Sequence, residues 1–486
     1  MGRRGAGALA IGLAVAGFVL AAFGVSARPP ELKASAQAFF NFDPPIEINA
    51  HNSPAVASDP ALPRTVAMVD RIDTPMFSCS ISLSRDLGEN WKPVGLPLPA
   101  EAPNCFWPDV GFDDDGRMLV LYTATGGPNN LPVGVWLQRF DAAAPDGPPV
   151  KVAGSLAFQA HMAVAGSRVL VAYVQATPDT VAKGLGFTSG PNPVMAARSN
   201  DGGRTFVAPV MVSEGNRRAV VPNVVLGPEG QAVVAALDLG QDVADYEATH
   251  GGQGGAPDNH PWSIVAFRSE NGGASFAPAT AVATRLVPPQ RLIVNLAPVP
   301  GLARDPKTGR VYAAWDAGRG DRRDVFVASS GDNGNTWSKP VAVVRKDGTQ
   351  TLPAVDVAPD GRVDVVYYDR SRDPADIRTE VAMASSWDEG VTFTAAIVSD
   401  REFDSRLGYG SAQGIPVLSS QLAVLSAPGR ALTFWSDTRR ATQDDNATEL
   451  AEAVVRTRQS AGRRWPVAVV GLALLAAGVT LGLRRR

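Results

Sequence analysis

SGDNGNTWSKP, residues 330–340, sets a serine, an aspartate, a glycine and a tryptophan at fixed offsets. The phrase returns as SRDLGENW from Ser84, SNDGGRTF from Ser199, SENGGASF from Ser269 and SWDEGVTF from Ser386, all fitting S-x-[DN]-x-G-x-x-[WF]. Its third position falls at Asp86, Asp201, Asn271, Asp332 and Asp388, with gaps of 115, 70, 61 and 56 residues. The first gap is two units long, so a worn copy is expected near residue 143, where RFDAAAPDGPPV keeps an aspartate and a turn. A tandem unit of about 57 residues matches a four-stranded propeller blade with generous loops.

The rest of each unit agrees. An apolar segment, a turn and a second apolar segment precede every copy. The turns align as FDDDGR, VAGSR, GPEGQ, DPKTGR, APDGR and SAPGR, and the second segments as VAMVDR, LVLYTA, VLVAYVQ, VVAALDL, VYAAWDA, VVYYDR and LTFWSD. Short β-rich runs bounded by Gly and Pro read as strands joined by hairpins. Seven runs predict an all-β, seven-bladed β-propeller; with one unit misread, the pattern would be six-bladed. The last unit stops after TELAEAVVRT, one strand short, and PIEINA (45–50) is spare at the start. Pairing the two would close the ring and hide both sheet edges. The motif then becomes the hairpin between the third and outermost strands. There the Asp or Asn accepts backbone N–H bonds, and the glycine adopts a conformation closed to residues with a Cβ.

On these five copies the chain resembles the Asp-box propellers of the sialidase superfamily, over roughly residues 44–458. The resemblance implies the fold and a ligand face opposite the first-to-second strand turns. For an exo-sialidase it further implies arginines gripping a carboxylate, a tyrosine nucleophile and an aspartate acid/base. The family's first arginine lies in a Phe/Tyr-Arg-Ile-Pro phrase, whereas this chain has VDRIDTP, with Arg71 after the second strand and no proline beside Ile72. The residues that would carry catalysis are Asp316, Asp369, Tyr368 (or Tyr367) and Asp437, two of the aspartates serving as acid and base in the manner of seven-bladed glycanases. Ligand binding would fall to Arg71, Arg218, Arg291, Arg319, Arg370 and Arg439. Structural readings compete throughout, because strand-end Asp and Arg on adjacent blades also pair to lock a ring. The expected ligand is a glycan or a surface protein, and a scaffold role is the third alternative. No cofactor is expected.

No metal site is expected either. The four histidines show no ligand spacing. FDDDGR lacks the alternating ligands and distal glutamate of a calcium loop and reads as a polar turn. Two long loops overhang the ligand face, about 177–193 and 240–262; the second holds Tyr246, Glu247, His250, Asp258 and His260.

The ends read as targeting segments. Residues 1–27 form a signal peptide, with Arg3 and Arg4 before an apolar run and small residues at Val25 and Ala27. Residues 28–43 are expected as a linker and 459–464 as a juxtamembrane linker. Residues 465–483 hold 19 uncharged residues, about 28 Å of helix and enough for one membrane crossing. Arg484, Arg485 and Arg486 then make 484–486 a cytoplasmic tail and place the bulk of the chain outside a bacterial cell. Residues 1–27 and 463–486 hold seven of the 45 basic residues and none of the 48 acidic ones, so the displayed part is net −10. That excludes nucleic acid as a partner. Cys79 and Cys105 both face the oxidising side, where one disulfide can form.

Overall fold

The computed structural model describes residues 30–35, 38–40, 50–73, 76–126, 131–178, 193–214, 217–240, 261–287, 299–319, 322–407, 418–419, 421–442 and 447–459. The chain divides into a unit of Lys33–Arg456 and a second of Met1–Leu32 with Thr457–Arg486, nearly all of the latter outside the described residues. The large unit is a seven-bladed β-propeller. Its innermost strands are His51–Ser58, Asn104–Phe112, Ala157–Ala165, Ala219–Leu226, Gly301–Arg304, Gln350–Val357 and Ala423–Ala427, opening blades one to seven in order. In each blade the chain passes outward, antiparallel, to a second and third strand; blade five, for example, continues through Val311–Arg319, Arg322–Ser330 and Val341–Ala342.

The apolar face of each sheet is buried against the next. One cluster joins Leu121, Leu137, Val169 and Val171 across blades two and three, and another joins Val325, Val327, Val363 and Val365 across blades five and six. Blades one and two are also joined covalently by the Cys79–Cys105 disulfide, Cα atoms 5.6 Å apart.

The repeated motif is the turn from third to fourth strand, and every recurring letter has a bond or a contact. In blade five, the Ser330 hydroxyl donates to Asp332 Oδ1 at 2.8 Å and accepts the Gly334 N–H at 2.8 Å. Asp332 then accepts the Thr336 N–H at 2.8 Å and its hydroxyl at 2.6 Å. Blades one, three, four and six repeat this through Asp86, Asp201, Asn271 and Asp388. The glycine is required twice over. Gly273 sits at φ +80, and a Cβ there would stand 2.4 Å from Leu170 Cδ1 of the preceding blade. The aromatic enters the same seam: Phe206, Phe276, Trp337 and Phe393 each pack on a cluster shared with the preceding blade. The hairpin is therefore a wedge between blades as well as a turn. In blade two the worn copy occupies the expected place, held by Arg139–Asp146 and by Gln138 donating to Gly147 O at 3.1 Å.

Ring closure differs in register from the expectation. Blade seven runs through Arg430–Asp437 and Glu449–Arg458, and its outer strand comes from the amino-terminal region as Glu31–Ala34 and Ala38–Phe40. Ala38, Phe39 and Phe40 pair antiparallel with Glu452, Ala451 and Leu450. Residues 28–43 are thus not merely a linker. Alternating PIEINA is the more regular strand signal, but only its last residue falls within the described set, where Ala50 bridges Thr448 in parallel. The segment 31–40 reads as an irregular strand because it is interrupted and covers only the outside of a sheet; an outermost strand needs one buried face at most. Residues 1–27 and 465–483 lie outside the described residues, among which no helix is long and apolar enough to cross a membrane.

Candidate functional site

The face carrying the second-to-third strand turns and the blade-to-blade connections is built on a repeated distortion. In blades one, two, three, four and six the innermost strand slips register, between Asn52 and Ala55, Phe106 and Asp109, Phe158 and His161, Val220 and Asn223, and Thr351 and Ala354. Each slip places one residue in left-handed backbone: Ser53 (φ 53), Trp107 (φ 55), Gln159 (φ 51), Val221 (φ 46) and Leu352 (φ 53). Such bulges re-aim side chains and concentrate at ligand faces. Their sequence signal is the proline that follows four of the five, at Pro54, Pro108, Pro222 and Pro353, because proline inside an inner strand is tolerated at a bulge.

The bulges bond blade to blade. The Ser53 N–H donates to Ser419 Oγ at 3.0 Å, the Val221 N–H to Gln159 Oε1 at 2.9 Å, and the Met162 N–H to Asp109 Oδ2 at 2.8 Å. Trp107 donates its indole N–H to His161 Nε2 at 3.0 Å. That leaves the His161 proton on Nδ1, facing Asp109 Oδ2 at 3.4 Å. Trp107 is buried in one cluster with Val220, Val221, Leu237, Trp262, Val299 and Trp315 of blades four and five. Its ring fills space toward blades that are not its sequence neighbours.

The acids expected to carry chemistry are buried and bonded. Asp316 Oδ2 accepts from Arg323 Nε at 2.6 Å and from Thr351 Oγ1 of blade six at 2.8 Å. Asp369 is 1% exposed and accepts from the Ser371 N–H at 2.8 Å, Lys346 Nζ at 3.2 Å and Gln350 Nε2 at 3.3 Å. Asp437 accepts from Trp435 Nε1 at 3.0 Å, Arg439 Nε at 2.9 Å and the Arg439 N–H at 2.8 Å. The Tyr368 phenol reaches across a blade boundary, donating to Ser436 O at 2.9 Å and accepting the Ser436 N–H at 3.2 Å. Burial, with the nearby Asp437 charge, pushes its pKa well above the ordinary tyrosine value. Burial, with Asp369 close by, does the same to Tyr367, whose hydroxyl has no hydrogen-bond partner among the described residues.

The arginines are drawn into separate local pairs. Arg71, 2% exposed, grips Asp73 through Nε at 2.6 Å and Nη2 at 3.1 Å, with its guanidinium carbon 4.2 Å over the Phe106 ring. Arg370 donates to Thr379 and Ser405, each at 3.0 Å. Arg439 pairs with Asp437 and Asp400, and Arg218 donates to Gly240 O at 3.3 Å. Arg291 lies outside the described residues, as do the Arg319 side chain, residues 241–260 and most of the loop 177–193. Asp73, Asp109, Arg323 and Trp107 complete these bonds and were not singled out from sequence. FDDDGR is a turn, with Asp113 Oδ1 accepting N–H bonds from Asp115 at 3.0 Å and Arg117 at 2.9 Å.

Between blades four and five the face retains a narrow crevice of about 20 Å³, room for about one water. Trp262, Leu286, Val299, Trp315 and the Asp316–Arg323 pair line it. Trp315 stacks on Phe326 with ring centroids 6.2 Å apart. Trp262 and Trp315 are themselves buried in the core between the blades, so the crevice is a water-sized gap in the seam and not an open aromatic platform.

No family model and no curated protein matches the chain. Solved propellers do. An ulvan lyase of a polysaccharide lyase family, bound to -[GlcA(1-4)Rha3S]-, is 12% identical, with a TM-score of 0.51 over 86% of this chain and 95% of that one. A Fusarium graminearum α-L-arabinofuranosidase complexed with arabinobiose is 13% identical, TM-score 0.44, over 87% and 98%. A Trypanosoma rangeli sialidase in complex with 2,3-difluorosialic acid is 10% identical, TM-score 0.43, over 91% and 61%. At these identities the likeness is one of fold, and the chain is similar in architecture to the ulvan lyase.

Proposed function

We propose that this is a membrane-displayed, sialidase-like Asp-box propeller that binds glycans on its loop-bearing face without hydrolysing them. The observation that carries the reading is the division of labour on that face. The four groups expected to perform chemistry, Asp316, Asp369, Tyr368 and Asp437, are each engaged in buried bonds that hold blades or strand ends together. Exposed groups beside them, such as Arg372 on the second-to-third strand turn of blade six, remain for a ligand. A nucleophile must be reachable and its proton removable. Tyr368 is 1% exposed with a raised pKa, so it satisfies neither condition. A glycan held at a surface, by contrast, needs no reachable nucleophile, only a few oriented polar groups. The ulvan lyase of similar fold was solved with a glycan bound, which makes the class of ligand reasonable for this architecture. Display outside a cell, through residues 1–27 and 465–483, completes the proposal.

The test is a paired assay of the full-length chain. Polysaccharide binding, uronate-containing and neutral, is measured alongside turnover of a panel of fluorogenic glycosides, sialosides included. The expected result is saturable binding of at least one polysaccharide, weakened by Arg372→Ala, with no turnover of any glycoside. Turnover that survives purification to homogeneity would restore the exo-sialidase or other glycosidase reading. Absence of any glycan binding would favour a protein scaffold.

A further inference from the structure

The seam where the ring closes holds a second cavity, remote in character from the crevice. It is a groove of about 430 Å³ between the amino-terminal strand, blade seven and the blade-one motif hairpin. Three cations line it: Lys33 on the amino-terminal strand, and Arg430 and Arg456 on blade seven. Arg430 and Arg456 are direct cross-strand partners, which puts both side chains on the same face of the sheet. Like charges directly opposite each other destabilise a sheet. Among the described residues, none of the three cations has an ion-pair partner, and Glu89 is the one exposed carboxylate on the wall.

Glu452 points from the same sheet face, two cross-strand steps along at the pair Phe434–Glu452. It is 3% exposed, accepts the Trp91 indole N–H on Oε2 at 3.0 Å, and leaves Oε1 without a partner. A buried carboxyl with one unused oxygen, on the same groove wall as an unneutralised pair of guanidiniums, is costly in the empty state. Both costs disappear if an anion enters. We propose that this groove is an oxyanion site, taking the carboxylate or sulfate of a small ligand between Arg430, Arg456 and Lys33, with the Glu452 carboxyl as its hydrogen-bond donor. Burial raises the Glu452 pKa to about 8, so at neutral pH the group carries the proton it would donate. Because Lys33 lies on the closing strand, an occupied site also fastens the ring. The argument is independent of the glycan-binding reading.

The experiment follows thermal unfolding of the full-length chain at pH 7 against sodium sulfate and against sodium glucuronate, each compared with sodium chloride at equal ionic strength. Sulfate stabilises proteins generally, so the readout is the difference between the wild type and an Arg430→Gln/Arg456→Gln variant. The wild type is expected to gain a saturable increment in Tm with one or both anions, and the variant to lose it or need about tenfold more anion. In chloride the variant should be as stable as the wild type or more so, since the like-charge pair is gone. Equal increments in wild type and variant, or a variant markedly less stable in chloride, would overturn the site.

Discussion

Glu452 and the motif aspartates show how position decides the sign of a carboxyl's effect. Asp332 is held to a pKa of about 2, chiefly by the Thr336 hydroxyl and N–H. It contributes stability above the ordinary value of 3.8 that is lost as pH falls toward 2. Glu452 works in the opposite direction. Burial lifts its pKa from 4.5 to about 8, so between those values the unfolded chain has released a proton that the folded chain keeps. Stability therefore declines as pH rises through that window. Glu452→Gln should leave stability at pH 4.5 nearly unchanged and raise it at pH 8.5, by on the order of 3 kcal/mol. Urea unfolding at the two pH values checks this, and an equal effect at both would show that the folded and unfolded pKa values of Glu452 are alike. Tyr368 belongs at the same scale. Removing its hydroxyl strands the Ser436 N–H and C=O, so Tyr368→Phe should cost about 1–3 kcal/mol in unfolding free energy and leave glycan binding unchanged. Loss of binding without loss of stability would mark the phenol as a ligand contact.

At the scale of the element, the hairpin motif was fully legible in the sequence because its reasons are local. Serine, aspartate and glycine bond one another within five residues, and only the contacts of the glycine and the aromatic with the preceding blade are long-range. Gly273→Ala meets both a positive φ and Leu170 at 2.4 Å, whereas Gly147→Ala has φ +80 with nothing within 4 Å. Gly273→Ala should therefore lose about 2–4 kcal/mol and Gly147→Ala about 1 kcal/mol. Equal losses in thermal unfolding would show that the wedge contact carries no weight. The face was harder to read. Asp316, Asp369 and Asp437 were found at the strand ends where they stand, but Thr351, which bonds Asp316, comes from the next blade, and Lys346, which bonds Asp369, from the connection between blades. Spacing along one chain does not encode such pairings, so an inter-blade staple and a catalytic acid look alike. The bulges had a signal in Pro54, Pro108, Pro222 and Pro353, interrupting strands that otherwise read as central. The disulfide was legible as two cysteines, both expected on the oxidising side. Cys105→Ser should cost about 3 kcal/mol, the usual worth of closing a loop of such length, and would splay blade one from blade two at the Arg71–Phe106 contact.

The whole molecule is a closed cycle, and closure is where its ends meet. Blade seven is completed by residues 31–40, and blade one packs on it through Trp91–Glu452, Trp91–Phe434 at 5.9 Å, and the Ser53–Ser419 bond. Tandem copies predicted the ring and its missing strand, but not which amino-terminal segment fills the gap, because an outermost strand with one covered face has weak patterning. Without that strand, blade seven would present the open edge of Glu449–Arg458. The most direct test is thermal unfolding of a chain beginning at residue 44 beside the full-length chain. Closure by residues 31–40 predicts a Tm lower by about 10 °C or more and a broadened transition, with binding of a free peptide of residues 31–40 restoring part of the loss. An unchanged Tm and an equally sharp transition would contradict it.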